Sequence, residues 1–372
     1  MQLRYKKITV KVGSNVLAKS DGTLNVSRIA HLVDQIAFLH KQGVEVVLVS
    51  SGAVAAGRAV MQPLKKTDAV SQRQLWAALG QVKLISRYSD FFQEDGLVCA
   101  QVLTTKENFA SRGHYLNMKN CITTLLENKV IPIVNENDTI SVTELMFTDN
   151  DELSGLIASM VDSEALIILS NVDGVFSGHP ANKDARLIER IETSQREPEN
   201  AISSEQSNFG RGGMHTKFRI AKKVAADGIG VHVANGTKDN ILIDLLDTNK
   251  KADHTFFVPN EKPSSGVKKW IAYSDGFAKG QVILNEGAVK ALNSEKAVSL
   301  LPVGIVRVES EFKRGDLIRM ISESGKIIGL GKAAYGSEKV EKEKHSEKQK
   351  PVVHYDYMYL ENRIKGKIQD GL

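Results

Sequence analysis

The feature that most constrains this chain is a series of short, almost wholly apolar runs, each followed by a stretch of helical periodicity. Residues 7–12, 44–49, 97–103, 130–134, 165–169, 230–234 and 254–258 read as strands. A strand that is apolar at nearly every position, rather than at every second one, has to be covered on both faces, as in a parallel sheet flanked by helices. Between the runs, Ile29, Leu32, Val33, Ile36 and Leu39 recur at helical spacing. Further helices are expected over 69–94, 114–128, 151–161, 214–227 and 240–246. Alternation of this kind predicts an α/β fold, a three-layer αβα sandwich with a mainly parallel sheet.

The rhythm changes after Val258. A segment rich in Pro and Ser precedes short strands with Gly turns at 280–284, 303–308, 316–321 and 326–331, interrupted by one short helix at 286–292. We therefore expect a large domain over 1–260, a linker over 261–274, a small β-barrel over 275–345 and a C-terminal tail over 346–372. The charge-dense run 338–350 is expected to be disordered, and Tyr355, Tyr357 and Tyr359 alternate as in an edge strand. The net charge of +5 lies wholly after residue 258, which raises nucleic-acid binding by the small domain.

Several classes are excluded. No apolar run approaches the roughly 18 residues of a membrane span, and the N-terminus lacks the pattern of a signal peptide, so a cytoplasmic protein without membrane contact is expected. Cys99 and Cys121 stand alone, which points to buried thiols rather than a disulfide or zinc site, and no metal ligand is assigned. There is no P-loop, zincin or nucleophile-elbow motif. Gly329-Leu330-Gly331-Lys332-Ala333-Ala334 matches the loose dinucleotide fingerprint, but no βαβ unit surrounds it.

What remains is a set of strand-end loops combining glycine, hydroxyl, amide and lysine. Lys11-Val12-Gly13 ends the first strand. Ser50-Ser51-Gly52-Ala53 joins a buried strand to a helix start, where open N–H groups favour an anion. Asn135-Glu136-Asn137-Asp138 is followed by Thr148-Asp149-Asn150-Asp151, in which Asp149 and Asp151 could serve only as helix caps. Ser170-Asn171 ends another strand, and Gly210-Arg211-Gly212-Gly213-Met214-His215-Thr216-Lys217 opens a helix like a phosphate cradle. Ligands of open parallel sheets bind beyond the carboxyl ends of the strands. Lysines and open N–H groups gathered there suit phosphoryl transfer, which needs positive charge and positioning more than a protein base.

In this order the motifs resemble the glutamate 5-kinases of the amino acid kinase superfamily, many of which also carry a C-terminal PUA domain, a small β-barrel otherwise found in RNA-modifying enzymes. Residues from about 275 to 339 are similar to that domain. The resemblance implies ATP-dependent phosphorylation of the γ-carboxylate of L-glutamate to L-glutamyl 5-phosphate, the first step of proline biosynthesis. It implies that Lys11 and Lys217 contact the ATP phosphates, that Asp151 holds both lysines, and that Ser51, Gly52, Asp138 and Asn150 bind glutamate. Ser170, Asn171 and the loop Arg211, Gly212, Gly213, Met214, His215, Thr216 and Lys217 would line the nucleotide, with Mg2+ bridging its phosphates and no protein ligand assigned. Feedback inhibition by L-proline, a homo-oligomer and RNA binding by the PUA-like domain are further implications. Asn171 stands where the family often has Asp, and Arg211 and His215 stand where smaller Thr and Ser are usual. The competing readings are an amino acid kinase acting on N-acetylglutamate, aspartate or carbamate, and an RNA-binding or RNA-modifying protein. A lack of aromatics interleaved among the basic residues of the small domain counts against the second.

Overall fold

A computed structural model of the chain describes residues 1–141, 147, 149–179, 182, 184–195, 213–261, 266–272, 277–294, 297–344 and 349–360. It divides into two compact units, Met1–Pro263 and Ser264–Leu372.

The first unit contains strands β1 (Lys7–Val12), β2 (Glu45–Ser50), β3 (Cys99–Thr104), β4 (Ile131–Glu136), β5 (Ala165–Ser170), β6 (Arg190–Ile191), β7 (Gly230–Asn235) and β8 (His254–Phe257). They form one sheet in the order β3-β4-β2-β1-β5-β7-β8-β6. From β3 to β7 every pairing is parallel, and β8 then runs antiparallel to β7. The connecting helices are α1 (Ser14–Leu17), α2 (Val26–Lys41), α3 (Ala53–Arg58), α4 (Ala69–Glu94), α5 (Glu107–Ala110), α6 (Arg112–Glu127), α7 (Asn150–Met160), α8 (Met214–Ala226) and α9 (Ile241–Leu246).

Successive side chains of a strand point to opposite faces, and β1 shows what this does. Ile8, Val10 and Val12 join Ile36 of α2, Leu84 and Tyr88 of α4 and Leu242 of α9 in one core. Thr9 and Lys11 face the other way, Thr9 Oγ1 lying 2.8 Å from Ser163 Oγ just past α7. Lys11 is thereby delivered to the layer that holds α7 and α8. Parallel register brings the carboxyl ends of β1, β2 and β5 together, with Val12 opposite both Ser50 and Leu169.

The second unit has a five-stranded sheet, β10-β9-β11-β12-β13, built from β9 (Gly280–Leu284), β10 (Ile305–Ser310), β11 (Leu317–Ser322), β12 (Ile327–Ala333) and β13 (Val353–Leu360). Its helices are α10 (Gly266–Ala272), α11 (Glu286–Leu292) and α12 (Val340–Lys344). Three expectations change here. The tyrosine segment set apart in a tail is β13, an edge strand paired with β12 that buries Val353 and Met358 in the small core. The expected linker contains α10, which buries Trp270 and Ile271 and packs against β13. Part of the charged run is helical, because Val340, fully buried, anchors α12 while its lysines and glutamates stay at the surface. Leaving β13 out also hid aromatics: Tyr355 and Tyr357 are exposed, with Lys332 Nζ 5.9 Å from the Tyr357 ring. The glycine fingerprint at 329–334 lies along and just past β12 rather than between a strand end and a helix start.

Cys99 is half-buried, but Cys121 is exposed, against the expectation that both are buried. Among the described residues no helix is long and apolar enough to cross a membrane.

Candidate active site

The carboxyl edge of the parallel sheet gathers three ionised groups. Lys11 comes from the end of β1, Asp151 from the first turn of α7 and Lys217 from the first turn of α8. Lys11 Nζ lies 2.7 Å from one Asp151 oxygen, and Lys217 Nζ lies 3.1 Å from the other. All three are buried, Asp151 completely. Burial works against the Asp151 carboxylate, but the two ammonium groups override it and hold its pKa down at about 2. Burial likewise works against the Lys217 ammonium, and the charges of Asp151 and Asp149 raise its pKa. The charges of the cluster thus act on one another in surroundings that screen them far less than water does.

The cap of α7 is Asp149, not Asp151. Asp149 Oδ1 accepts the N–H groups of Asp151 and Glu152 at 2.9 and 3.1 Å, which leaves the Asp151 carboxylate to the lysines. Burial, and then the neighbouring Asp151 charge, push the Asp149 pKa up to about 6.

Beside the lysines, three loops are tied together by one amide. Asn150 Nδ2 donates to Ser50 O and Ser51 Oγ at 3.0 Å and to Asn135 Oδ1 at 3.1 Å. Gly52 turns the backbone with φ +105, a conformation that favours glycine, and so starts α3 directly after Ser51. At Gly80 a side chain is excluded, since a Cβ would lie 1.7 Å from Ala53 O, and this lets α4 press against α3 beneath that turn. Asp138 faces Arg73 of α4 at 2.6 Å. Burial raises the Asp138 pKa, and the guanidinium works in the opposite direction. Glu136, at the end of β4, accepts the Phe147 N–H at 2.8 Å. Burial, before any charge effect, lifts its pKa to about 7.

On the other flank, Ser170 is buried and Asn171 exposed at the end of β5. Gly213 precedes α8 without a side-chain cap, Met214 and Thr216 are half-buried, and His215 is exposed. Thr148, Arg211 and Gly212 lie outside the described residues.

The structure thus brings Lys11, Asp151 and Lys217 into direct contact, and links Ser51, Asn150 and the Asn135 loop. Sequence reasoning missed Arg73, Gln81, whose Oε1 accepts from Asn135 Nδ2 at 2.9 Å, and the part played by Glu136. Arg73 and Gln81 sit inside a regular helix with no motif around them, so nothing in their spacing marks them.

A sequence model of the amino acid kinase family matches residues 6–235, and one of the PUA domain matches residues 280–355. The chain is 56% identical over 361 residues to a glutamate 5-kinase from Bacteroides thetaiotaomicron, covering 97% of this chain and all of that one. It is 48% identical over 357 residues to a glutamate 5-kinase from Chlorobaculum tepidum, covering 96% and 98% of the two chains. Among solved structures it is similar in fold to a carbamate kinase from Giardia lamblia bound to AMP-PNP, with a TM-score of 0.50 and 18% identity, covering 69% of this chain and 99% of that one.

Proposed function

The chain belongs to the amino acid kinase family and, within it, to the glutamate 5-kinases, and from that membership we propose that its two buried lysines form the centre at which the γ-phosphoryl group of ATP passes to the γ-carboxylate of L-glutamate. The product is L-glutamyl 5-phosphate, the first intermediate of proline biosynthesis. The observation that carries this assignment is the pair of lysines bound to opposite oxygens of one buried carboxylate at the sheet's carboxyl edge.

The acceptor needs no base, because a glutamate side-chain carboxylate is already ionised near neutral pH. One of its oxygens attacks the γ-phosphorus as the bond to the ADP oxygen breaks. Charge on the transferring group and the leaving oxygen is met by Lys11 and Lys217, already aligned and desolvated before the reaction. Asp151 keeps both ammonium groups charged and separated without touching the substrate. Ser51, Gly52, Asn150 and Asp138 hold glutamate, Asp138 facing its α-ammonium. Ser170, Asn171 and the start of α8 from Gly213 to Lys217 face the nucleotide, with Arg211 and Gly212 of the preceding loop assigned there from the motif.

Magnesium fits this site as a companion of the nucleotide. Among the described residues no group of three or more His, Cys, Asp or Glu could hold a metal, and the Asp151 oxygens are engaged by lysines. The ion would arrive with the nucleotide phosphates rather than on protein ligands, and the chemistry it would supply is neutralisation of phosphate charge. ATP and glutamate as substrates fit a cytoplasmic enzyme. L-Proline carries an α-carboxylate and a secondary α-ammonium and would inhibit by competing at Asp138, and assembly as a homo-oligomer completes this reading.

The test is ADP release by the purified chain with L-glutamate, N-acetylglutamate and L-aspartate as acceptors. Turnover should be largest with glutamate. Equal or faster turnover of N-acetylglutamate would remove Asp138 as an ammonium site and with it the substrate assignment.

A second reading concerns the PUA domain alone. Exposed Tyr355 and Tyr357 on β13, with Lys332 beside the Tyr357 ring, offer stacking and charge for single-stranded RNA. Filter binding should weaken steeply as salt rises, and an absence of binding at low salt would dismiss this role.

A further inference from the structure

We infer that Arg73 is the receptor for the α-carboxylate of the amino-acid substrate, so that the Arg73–Asp138 pair reads the zwitterionic end of glutamate. This rests on the reading that L-glutamate is the acceptor. Glutamate brings three charges into the site. Its γ-carboxylate goes to the lysine centre and its α-ammonium to Asp138, but Ser51, Gly52, Asn150 and Asp138 include no cation for the α-carboxylate.

Arg73 supplies one. Its Nη2 donates to Asp138 Oδ1 at 2.6 Å, and this is the one hydrogen bond its guanidinium makes among the described residues. Its Nε is buried and has no hydrogen-bond partner, and with the Nη N–H groups not given to Asp138 it leaves the planar fork that suits a second carboxylate. The Arg73 side chain is 32% exposed and that of Asp138 is 11% exposed, so Arg73 is the more accessible member of the pair. The next residue of α4, Gln74, donates from Nε2 to Thr139 O at 2.8 Å, a second tie between α4 and the segment that carries Asp138. Two other cations near these loops are engaged elsewhere, Arg58 over the Trp76 ring at 4.8 Å and Lys106 with Glu152 at 3.8 Å. An α-amino acid placed against Arg73 and Asp138 completes a ring of four alternating charges, in which each new contact is attractive and the existing pair need not break.

The bland alternative is that Arg73 only neutralises Asp138. Substrate analogues separate the two, because 4-aminobutyrate is glutamate without its α-carboxylate. ADP release is measured for wild type, Arg73→Gln and Arg73→Lys with L-glutamate and with 4-aminobutyrate, the latter as a substrate or as an inhibitor competing with glutamate. The wild type should prefer glutamate by on the order of 10²-fold. In Arg73→Gln the KM for glutamate should rise on the order of 10²-fold while the KM or Ki for 4-aminobutyrate moves by less than about threefold, so the preference collapses. Arg73→Lys keeps a point charge without the fork and should fall between. If Arg73→Gln does not fold, as judged by cooperative thermal unfolding, the same comparison in Arg73→Lys decides the matter. Equal losses with both ligands, or an unchanged glutamate KM, would overturn the assignment. A wild-type enzyme that turns over no glutamate would instead defeat the kinase reading, a result distinct from either.

Discussion

Replacing Asp151 by asparagine keeps the shape of the side chain and removes only its charge. In the folded protein that charge lies between two ammonium groups at 2.7 and 3.1 Å, with Asp151 fully buried. Depression of its pKa from 3.8 to about 2 corresponds to about 2 kcal/mol of stabilisation at 1.36 kcal/mol per unit. Breaking a buried pair by removing one partner costs about 3–5 kcal/mol, because the remaining charge is left uncompensated. The expected loss at pH 7 is therefore about 2–5 kcal/mol, read by urea denaturation. The sign with pH follows from the direction of the shift. A carboxylate whose pKa is lowered by folding contributes fully above its ordinary pKa, and the contribution disappears as pH falls from about 4 to about 2. The stability gap between wild type and Asp151→Asn should accordingly be constant from pH 8 to 5 and close in acid. The rate of ADP release should fall as well, by on the order of 10²-fold, since the lysines lose the group that keeps them charged and in place. A variant that loses about 1 kcal/mol or less and keeps its kcat would refute the reasoning and reduce Asp151 to an ordinary residue of a helix's first turn.

Asp138→Ala should act mainly through the glutamate KM, because an ammonium contact far from the reacting carboxylate is made about equally in ground and transition states. The expected penalty is about 2–5 kcal/mol, and an unchanged KM would make Asp138 structural. Glu136 should show the opposite pH sign to Asp151. Its pKa is raised by burial to about 7, so its contribution to stability is complete below about pH 4.5 and is lost as pH rises to 7 and beyond; Glu136→Gln should therefore gain on wild type between pH 5 and 8, and a flat difference would contradict the burial argument. A fragment of residues 1–263, cut where the two compact units divide, should unfold cooperatively and retain glutamate kinase activity. A folded but inactive fragment would mean that the small domain is needed by the site.

The sheet was legible because burial on both faces writes itself into consecutive residues: residues 165–169 and 230–234 are apolar or small nearly throughout and became β5 and β7. Helix α4 was legible from its periodicity over the whole of 69–94. The loops that carry Lys11, Ser51, Asn150 and Lys217 could be found because glycine, hydroxyl and lysine at strand ends are unusual together. Contacts across sequence could not be found. Arg73 and Asp138 are 65 positions apart and Asn135 and Gln81 are 54 apart, and both pairs meet only because α4 lies across the ends of β2 and β4. In the small domain β13 was read as an edge strand but set apart in a tail, for a different reason. It follows a charge-dense run that looks like the end of a domain, and its pairing with β12 is set by Val353 and Met358 rather than by anything local.

The centre itself is tested most directly by the single-turnover rate of phosphoryl transfer from ATP to glutamate in Lys11→Ala and Lys217→Ala, measured with both substrates saturating. Each variant removes one of the two ammonium groups bound to Asp151. Transfer slowed by on the order of 10²-fold or more in both is the result this account predicts. Transfer at the wild-type rate in either variant would contradict it.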